Sequence, residues 1–342
     1  MLKKLFLALT FIFIAFVAFN YELVLYGLGQ ARGQMHILMN TRTIAETLAD
    51  PNFPDSLKTN LRLVTEIKNF AFDSLGIRYS TNYSNVYDQQ GKELMFVVTA
   101  CEPFMLAAKE WHFPLLGTFS YKGFFDQEKA IELAKALKNK GLDTNVRTAG
   151  GWSTLGWFED PILSNMLDDT EAGFAELIIH ELTHGTLFVK DSVRFNENLA
   201  TFVGVKGTER YLEAKYGKDN NEVNQYRQQW KDRNKLTEHI LHGAQYLDSL
   251  YQNMDQHLPY EEKMEMKNTA ISLIINNIDT LSLSDKQKYL DFYSKHKPNN
   301  TLFMSYLRYR GEFALLEKQL EKNYNADIKE MLEDYKHTYA SL

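Results

Sequence analysis

The sequence predicts an α+β fold, in which a small mixed sheet packs on a metal-binding helix and a mainly helical lobe follows at the C-terminal end. Short β-like runs alternate with helical runs up to residue 148, as expected for a mixed sheet. An apolar run over 174–189 then carries His-Glu-Leu-Thr-His at 180–184. Beyond Gly217 the periodic runs are helical and charged. These three observations define the predicted architecture.

The composition is that of a folded, mildly acidic chain. Its 342 residues include 44% hydrophobic residues, which is enough for a sizeable core. The net charge is −6 and no basic block occurs, which argues against nucleic acid as a partner. Cys101 is the only cysteine, so an internal disulfide is excluded.

Residues 1–28 predict a membrane-directed segment. Lys3 and Lys4 precede the uncharged apolar run 5–19, as in a signal peptide or a signal anchor. Phe16 occupies the outer position of the best cleavage motif, so we favour an anchor, and secretion after signal cleavage is the alternative. The lysines predict a cytoplasmic N-terminus, with the catalytic part on the extracytoplasmic (periplasmic) side of the membrane.

Helices and strands are predicted from the periodicity of apolar residues between this segment and the pentapeptide. They are a helical stretch over 34–75 broken at 51–55, strands over 84–88 and 92–100 joined through 89–91, a strand over 117–125, a helix over 126–139 and a strand over 142–148. The strand over 117–125 is either an ordinary core strand or an edge to which an extended peptide adds a strand.

Two further segments precede the pentapeptide. The glycine- and aromatic-rich stretch 150–158 either lines a substrate cleft or packs against the core. Glu159 and Asp160 are candidates for binding a substrate ammonium group, and an exposed acidic turn is the simpler interpretation.

The pentapeptide itself predicts a catalytic metal helix. His180 and His184 are four residues apart, so on a helix both imidazoles face the same ion, and Glu181 can reach a water bound to it. Asp168 is the predicted N-cap, with Glu171 completing a capping box. Two imidazoles and a carboxylate would leave the fourth zinc position open for water.

Glu197 is the predicted third ligand. We expect the helix to run to Val189, a turn to follow at 190–192, and a second helix starting near Asn196 to return Glu197 to the histidines. The rival ligands are Asp191 in the turn, and His239 or His242 further on.

His-Glu-Leu-Thr-His followed by Phe-Asn-Glu-Asn-Leu-Ala-Thr-Phe-Val-Gly resembles the bacterial putative aminopeptidase family of the gluzincin type. Similar stretches lie at 26–34, 51–55, 86–91, 117–125 and 153–160. The resemblance covers residues 26–217 closely and the C-terminal third more loosely. It implies a zincin-like fold with a catalytic lobe over 29–217 and a helical lobe over 218–342 that closes the cleft.

The resemblance also implies a role for Tyr309. The C-terminal helices are predicted over 221–254, 261–278, 285–295, 301–324 and 326–339. Tyr309 falls where the family carries a tyrosine after its Asn-Asn pair, here Asn299 and Asn300. Gluzincins use such a distant residue to stabilise the oxyanion.

Two functions are compatible with these patterns. The first is a membrane-tethered zinc peptidase with one Zn²⁺, in which Glu181 is the general base for a zinc-activated water and the substrate is a peptide. The family resemblance makes an aminopeptidase the expected kind. The alternative is a zinc-bearing module that binds peptide or regulates a partner without turnover. Glu181 favours catalysis, because a binding module needs no base at that position.

Overall fold

Helices dominate the fold, and its strands are short. The structure is a computed structural model that describes residues 2–113, 117–149 and 159–339. Within those ranges the helices are α1 Leu2–Phe19, α2 Tyr21–Met39, α3 Ile44–Ala49, α4 Asp55–Ser74, α5 Gln127–Lys138, α6 Glu171–Thr186, α7 Val193–Tyr216, α8 Asn221–Gln252, α9 Tyr260–Asn276, α10 Lys286–Lys295, α11 Asn300–Arg310, α12 Phe313–Tyr324 and α13 Ile328–Thr338. The strands are β1 Thr41–Thr43, β2 Asn85–Tyr87, β3 Phe96–Cys101, β4 Trp111–Phe113, β5 Gly117–Phe119, β6 Lys122–Phe124, β7 Asp143–Thr148 and β8 Ile162–Leu163. The predicted mixed α+β fold with small sheets and a helical C-terminal part is confirmed.

The described strands form three small sheets, in the orders β1-β2-β8, β6-β3-β7 and β4-β5. The strands predicted over 84–88 and 92–100 exist as β2 and β3, but they lie in different sheets. The linker between them is held elsewhere, because Gln89 N donates to Ser164 Oγ at 2.8 Å and Asn165 N donates to Gln89 Oε1 at 3.1 Å. These bonds direct the chain toward the segment after β8 and prevent a hairpin.

The strand predicted over 117–125 divides into β5 and β6. The break follows from tertiary contacts at Ser120, since Arg308 of α11 donates to Ser120 Oγ at 2.9 Å and to Ser120 O at 3.2 Å. β5 pairs with β4, whereas β6 pairs with β3. The helix predicted over 301–324 is divided in a similar way, because Asn198 Oδ1 accepts from Glu312 N at 2.8 Å where α11 gives way to α12.

The sheet β6-β3-β7 has one face on α5 and the other toward an open cleft. Alternate residues of β3 account for this, because successive side chains of a strand point to opposite faces. Phe96 and Val98 pack with Ala130 and Ala134 of α5. Val97 lies on the opposite face.

The largest hydrophobic cluster surrounds α6, which is therefore held from several sides. Phe174, Ile178 and Leu182 of α6 are buried together with apolar residues of α4 and α7. The same cluster includes Phe313 of α12 and Met331 of α13. The C-terminal helices thus share a core with the pentapeptide helix, and the division of the chain at residue 217 stays a prediction.

The N-terminal segment forms α1 and α2. In α1, Leu5, Phe6, Leu7 and Phe11 are exposed. Over the described residues, no helix combines the length and the apolar character that a membrane crossing requires.

Candidate metal centre

The pentapeptide lies on α6, as predicted, but the helix is capped differently. The prediction of Asp168 as N-cap with Glu171 in a capping box is wrong. Thr170 is the N-cap, and its Oγ1 accepts from Gly173 N at 3.1 Å. Asp168 instead ends a 3₁₀ turn over Ser164–Leu167, so the chain enters α6 two residues later than predicted.

The turn after α6 returns Glu197 to the two histidines, as predicted. α6 ends at Thr186 rather than at Val189, and α7 begins at Val193 rather than near Asn196. Asn196 closes the turn, since its Oδ1 accepts from Val189 N and its Nδ2 donates to Val189 O, both at 2.8 Å. These two bonds occupy the backbone groups that a longer α6 would need.

Gly204 allows α6 and α7 to approach each other closely. A Cβ at this position would lie 3.0 Å from Glu176 O and 3.3 Å from His180 Cβ. Glu197 lies about two turns before Gly204 on the same face of α7. The close approach at Gly204 therefore brings the Glu197 carboxylate within reach of the imidazoles.

The three predicted ligands converge with the spacing that a tetrahedral metal ion requires. Nε2 of His180 and Nε2 of His184 lie 3.2 Å apart, and Oε2 of Glu197 lies 3.5 Å from each. Tetrahedral bonds of about 2.0–2.2 Å place two ligand atoms about 3.4 Å apart. An imidazole nitrogen binds a metal through its lone pair, and the Nε2 atoms of both histidines face each other beside a carboxylate. These residues therefore fit a single metal ion.

Burial and charge reinforce this arrangement. Glu197 is 7% exposed and His184 is 8% exposed. Burial would raise the pKa of Glu197, but the two imidazoles outweigh it and hold that pKa well below its ordinary value. Burial would lower the pKa of His184, but the Glu197 and Glu181 carboxylates outweigh it and raise that pKa. The centre is thus a negative carboxylate among largely buried side chains, an environment that suits a cation.

The rival third ligands lie elsewhere. Asp191 Oδ1 accepts from Thr118 N at 2.8 Å, at the start of β5. His239 Nε2 lies 2.7 Å from a backbone carbonyl of α9, and His242 is exposed. Over the described ranges, no other group of histidine, cysteine or acidic side chains has a geometry that could hold a metal ion.

A cleft of about 1060 Å³ opens above the three side chains. Glu181 lines it beside His180 and His184, as the predicted base requires. One wall is the free face of the sheet β6-β3-β7, where Val97 pairs with Gly123 and with Arg147. Aromatic side chains line the cleft as well, namely Phe113, Phe119, Phe188, Tyr121, Tyr306 and Tyr309.

Tyr309 reaches this cleft from α11, and Arg147 of β7 holds its hydroxyl. Arg147 Nη2 donates to Tyr309 Oη at 3.1 Å. A guanidinium cannot accept a hydrogen bond, so the Tyr309 proton is free to point elsewhere. Burial, with the nearby Glu197 carboxylate, raises the pKa of Tyr309 to about 12, which keeps the hydroxyl protonated. No sequence pattern indicated a role for Arg147, a single arginine in a short strand.

Asn198 joins the metal centre to Tyr309. Its Nδ2 donates to Arg308 O at 2.6 Å, one residue before Tyr309. Since Asn198 follows Glu197 directly, one segment supplies a candidate metal ligand and anchors the end of α11. The two asparagines that flank Glu197, just before the apolar run 199–203, were the only sequence signal for this role.

Helix α2 forms a further wall of the cleft. Tyr26 Oη and Gln30 Nε2 both donate to Gly123 O, at 3.0 and 2.9 Å. Leu23 and Gly27 of the same helix also line the cleft. The outer edge of β6 is therefore covered by α2 at Gly123. The face of the sheet, rather than this edge, is turned toward the metal centre.

The acidic pair before α6 lies outside the described cleft lining. Asp160 is 1% exposed, and its backbone oxygen accepts from Tyr83 N at 2.6 Å. Glu159 Oε1 accepts from Thr81 Oγ1 at 2.8 Å. The structure therefore does not bring either carboxylate to the metal centre. The glycine- and aromatic-rich stretch 150–158 lies outside the described residues.

Comparison with known proteins assigns the chain to a family. No curated protein and no solved structure matches it. A family model described as "Putative aminopeptidase" matches residues 25–341, which include the metal centre and the cleft around it. The predicted family resemblance is thereby confirmed, whereas the gluzincin type and the bacterial origin stay predictions. The chain belongs to the putative aminopeptidase family.

Proposed function

We propose that the chain is a zinc-dependent peptidase of the gluzincin type, and that it acts as an aminopeptidase. The observation that carries the proposal is the convergence of His180, His184 and Glu197 beside Glu181 in one cleft. A site with three protein ligands leaves a position for water, which is typical of catalytic rather than structural zinc. Membership of the family supports peptidase activity on peptide substrates.

His180, His184 and Glu197 would hold the ion. When bound, Zn²⁺ supplies Lewis acidity to a water molecule and to the substrate carbonyl. Glu181 follows His180 directly on α6 and lines the same cleft, so its carboxylate can take a proton from the attacking water. The same carboxylate then carries the proton to the departing amine nitrogen.

Tyr309 has the position and the protonation state of an oxyanion donor. Arg147 occupies a lone pair of the phenolic oxygen, which leaves the hydroxyl proton available to the substrate carbonyl oxygen. A preorganised donor of this kind favours the transition state, in which that oxygen becomes negative. Arg147 acts through Tyr309 and is a positioning residue.

The full chain, purified in detergent, provides the test. We expect about one zinc per chain, cleavage of a peptide library that releases amino-terminal residues, and loss of cleavage with a chelator that zinc restores. Cleavage that persists after complete removal of metal would contradict zinc dependence. Tight peptide binding without any cleavage would instead favour the binding or regulatory module.

We also propose that the N-terminal segment tethers the protein to a membrane, with the catalytic part on the periplasmic side. Lys3 and Lys4 precede an apolar run whose Leu5, Phe6 and Phe11 are exposed in α1. Retention in the membrane fraction after a high-salt wash, with protease access from outside the cytoplasm, is the expected result. A soluble mature chain that begins near residue 20 would instead indicate cleavage and secretion.

A further inference from the structure

Two arginines that the mechanism does not use lie at one end of the cleft. Arg233 of α8 and Arg310 at the end of α11 both line it, together with Glu176 of α6. Glu176 lies one helical turn before His180 and so faces the same side of α6. This group, which we call the basic end, is therefore continuous with the metal centre.

Arg233 forms a two-point ion pair with Glu176, and its buried Nε has no acceptor among the described residues. Its Nη1 donates to Glu176 Oε1 at 3.1 Å, and its Nη2 donates to Oε2 at 2.8 Å. Tyr226 Oη adds a third donor to the same carboxylate at 2.8 Å. Burial would lower the pKa of Arg233, but Glu176 outweighs it and raises that pKa. The Glu176 charge is thus committed to Arg233.

Arg310 lacks such a partner. Its Nη1 is buried and has no hydrogen-bond acceptor among the described residues. Its guanidinium also forms no ion pair with any of those residues. The guanidinium carbon lies 5.3 Å from the centre of the Trp230 ring. Burial and the nearby Arg233 charge lower the pKa of Arg310. A charge with a buried, unpaired donor is costly, so an acceptor from outside the chain would stabilise Arg310 where it lines the cleft.

The charges of the basic end do not cancel. Arg233 and Arg310 are positive and Glu176 is negative, so the three groups carry a net charge of about +1. The remaining carboxylate toward this end of the cleft, Asp169, is exposed, and its Oδ1 accepts from Thr170 N at 2.6 Å. A guanidinium is suited to bidentate recognition of a carboxylate.

We propose that Arg310 binds a carboxylate of the peptide substrate. This inference rests on the proposed peptidase function and adds a specificity determinant to it. The carboxylate belongs either to an acidic side chain or to the free C-terminus of a short peptide. Either source supplies the two acceptor oxygens that the Arg310 guanidinium lacks within the described chain.

Measuring peptide binding in the absence of cleavage tests this inference separately from the proposed peptidase activity. The full chain carrying Glu181→Gln, purified in detergent and loaded with zinc, is titrated calorimetrically with alanine pentapeptides. One series compares glutamate with glutamine at each position, and a second compares the free C-terminal acid with the amide. We expect one carboxylate to strengthen binding about 10- to 100-fold over its neutral counterpart. The series in which this happens identifies the source of the carboxylate.

Arg310→Met is the diagnostic variant. It keeps an apolar stem against Trp230 and removes the unpaired charge, so the melting temperature should be unchanged or higher. The discrimination between charged and neutral peptides should disappear, whereas the exposed control Arg62→Met should retain it. Equal binding of every charged and neutral pair, or discrimination that survives Arg310→Met, would overturn the inference alone. Failure of every peptide to bind would overturn the proposed function as well.

Discussion

Helix α6 carries two polar clusters, one at each end, and their bonding differs. At the start of the helix, Glu171 accepts from Tyr216 Oη at 2.7 Å and from Lys215 Nζ at 2.8 Å. Near the end of the helix, Nε2 atoms of His180 and His184 face each other at 3.2 Å.

This difference in bonding indicates which of the two polar clusters would need a ligand from outside the chain. Around Glu171, hydroxyl and ammonium donors meet a carboxylate, so the chain itself satisfies the hydrogen bonds of this carboxylate. Around Glu197, the Nε2 atoms of both imidazoles and a carboxylate oxygen converge on one point, a set of atoms that suits a metal ion. The first cluster is complete within the chain, and we propose that a cation completes the second. Four substitutions test that contrast.

The largest expected effect is that of Glu181→Gln on turnover. The substitution keeps the size of the side chain and removes the base, so kcat should fall by about 10²- to 10⁴-fold. Zinc content and melting temperature should stay at their wild-type values, because Glu181 is not a proposed ligand. The measurement is peptide cleavage at matched zinc occupancy. Wild-type turnover in this variant would exclude Glu181 as the base.

Tyr309→Phe should have a somewhat smaller effect on turnover. It removes one proposed oxyanion donor, for which a loss of about 10²- to 10³-fold in kcat is typical. Because the donor acts on the transition state, KM should change little. The matched control is Tyr335→Phe, a buried tyrosine of α13 outside the cleft lining whose hydroxyl donates to Gln319 Oε1 at 2.7 Å. Equal losses in both variants would indicate a general packing effect.

Glu197→Gln tests the incomplete cluster directly. Loss of a ligand should weaken zinc binding by more than about 100-fold, since even residues that only support ligands contribute about 10- to 100-fold. In the wild type, added zinc should raise the melting temperature through binding to the folded state, and this rise should vanish in the variant. Competition with a fluorescent zinc chelator gives the affinity. Unchanged affinity would assign the third ligand to another group.

Glu171→Gln tests the complete cluster, and its effect should be the smallest. Zinc affinity should be unchanged, while the free energy of unfolding should fall by about 1–3 kcal/mol, because Tyr216 and Lys215 lose a charged partner. Burial would raise the pKa of Glu171, but bonds from Lys215 and Tyr216 outweigh it and lower that pKa. The ionised Glu171 carboxylate therefore stabilises the folded state fully above pH 4.5, its ordinary pKa. This contribution is lost as the pH falls through the lowered pKa of the folded state.

Denaturant unfolding of both proteins at several pH values measures this dependence. The stability difference between wild type and Glu171→Gln should narrow below pH 4.5. A difference that is the same at every pH would show that the effect does not depend on the Glu171 charge.

Helices were easier to predict than strand partners in this chain. The helix predicted over 126–139 is α5, and its predicted first residue, Asp126, is the N-cap that accepts from Glu128 N and Lys129 N. Such caps depend on neighbours in the sequence. By contrast, β2 and β3 were predicted as successive strands, yet Gln89 and Ser164, 75 residues apart, separate them into different sheets. Sequence patterns do not specify contacts of that separation.

The residues of the candidate site also differ in whether near or distant parts of the sequence position them. The sequence by itself determined the pair His180 and His184, with Glu181 between them, because helical periodicity alone places residues four apart on one face. Glu197 required only a short return between two adjacent helices, and its position was predicted from that.

The tertiary structure alone decided which residues complete the cleft. Arg147 meets Tyr309 across 162 residues of sequence, and Arg310 meets the Arg233–Glu176 pair from a third helix. Whether an arginine has a carboxylate partner depends on which distant elements pack around it. Only the folded chain therefore distinguishes Arg233, whose charge is neutralised, from Arg310, whose charge is available to a substrate.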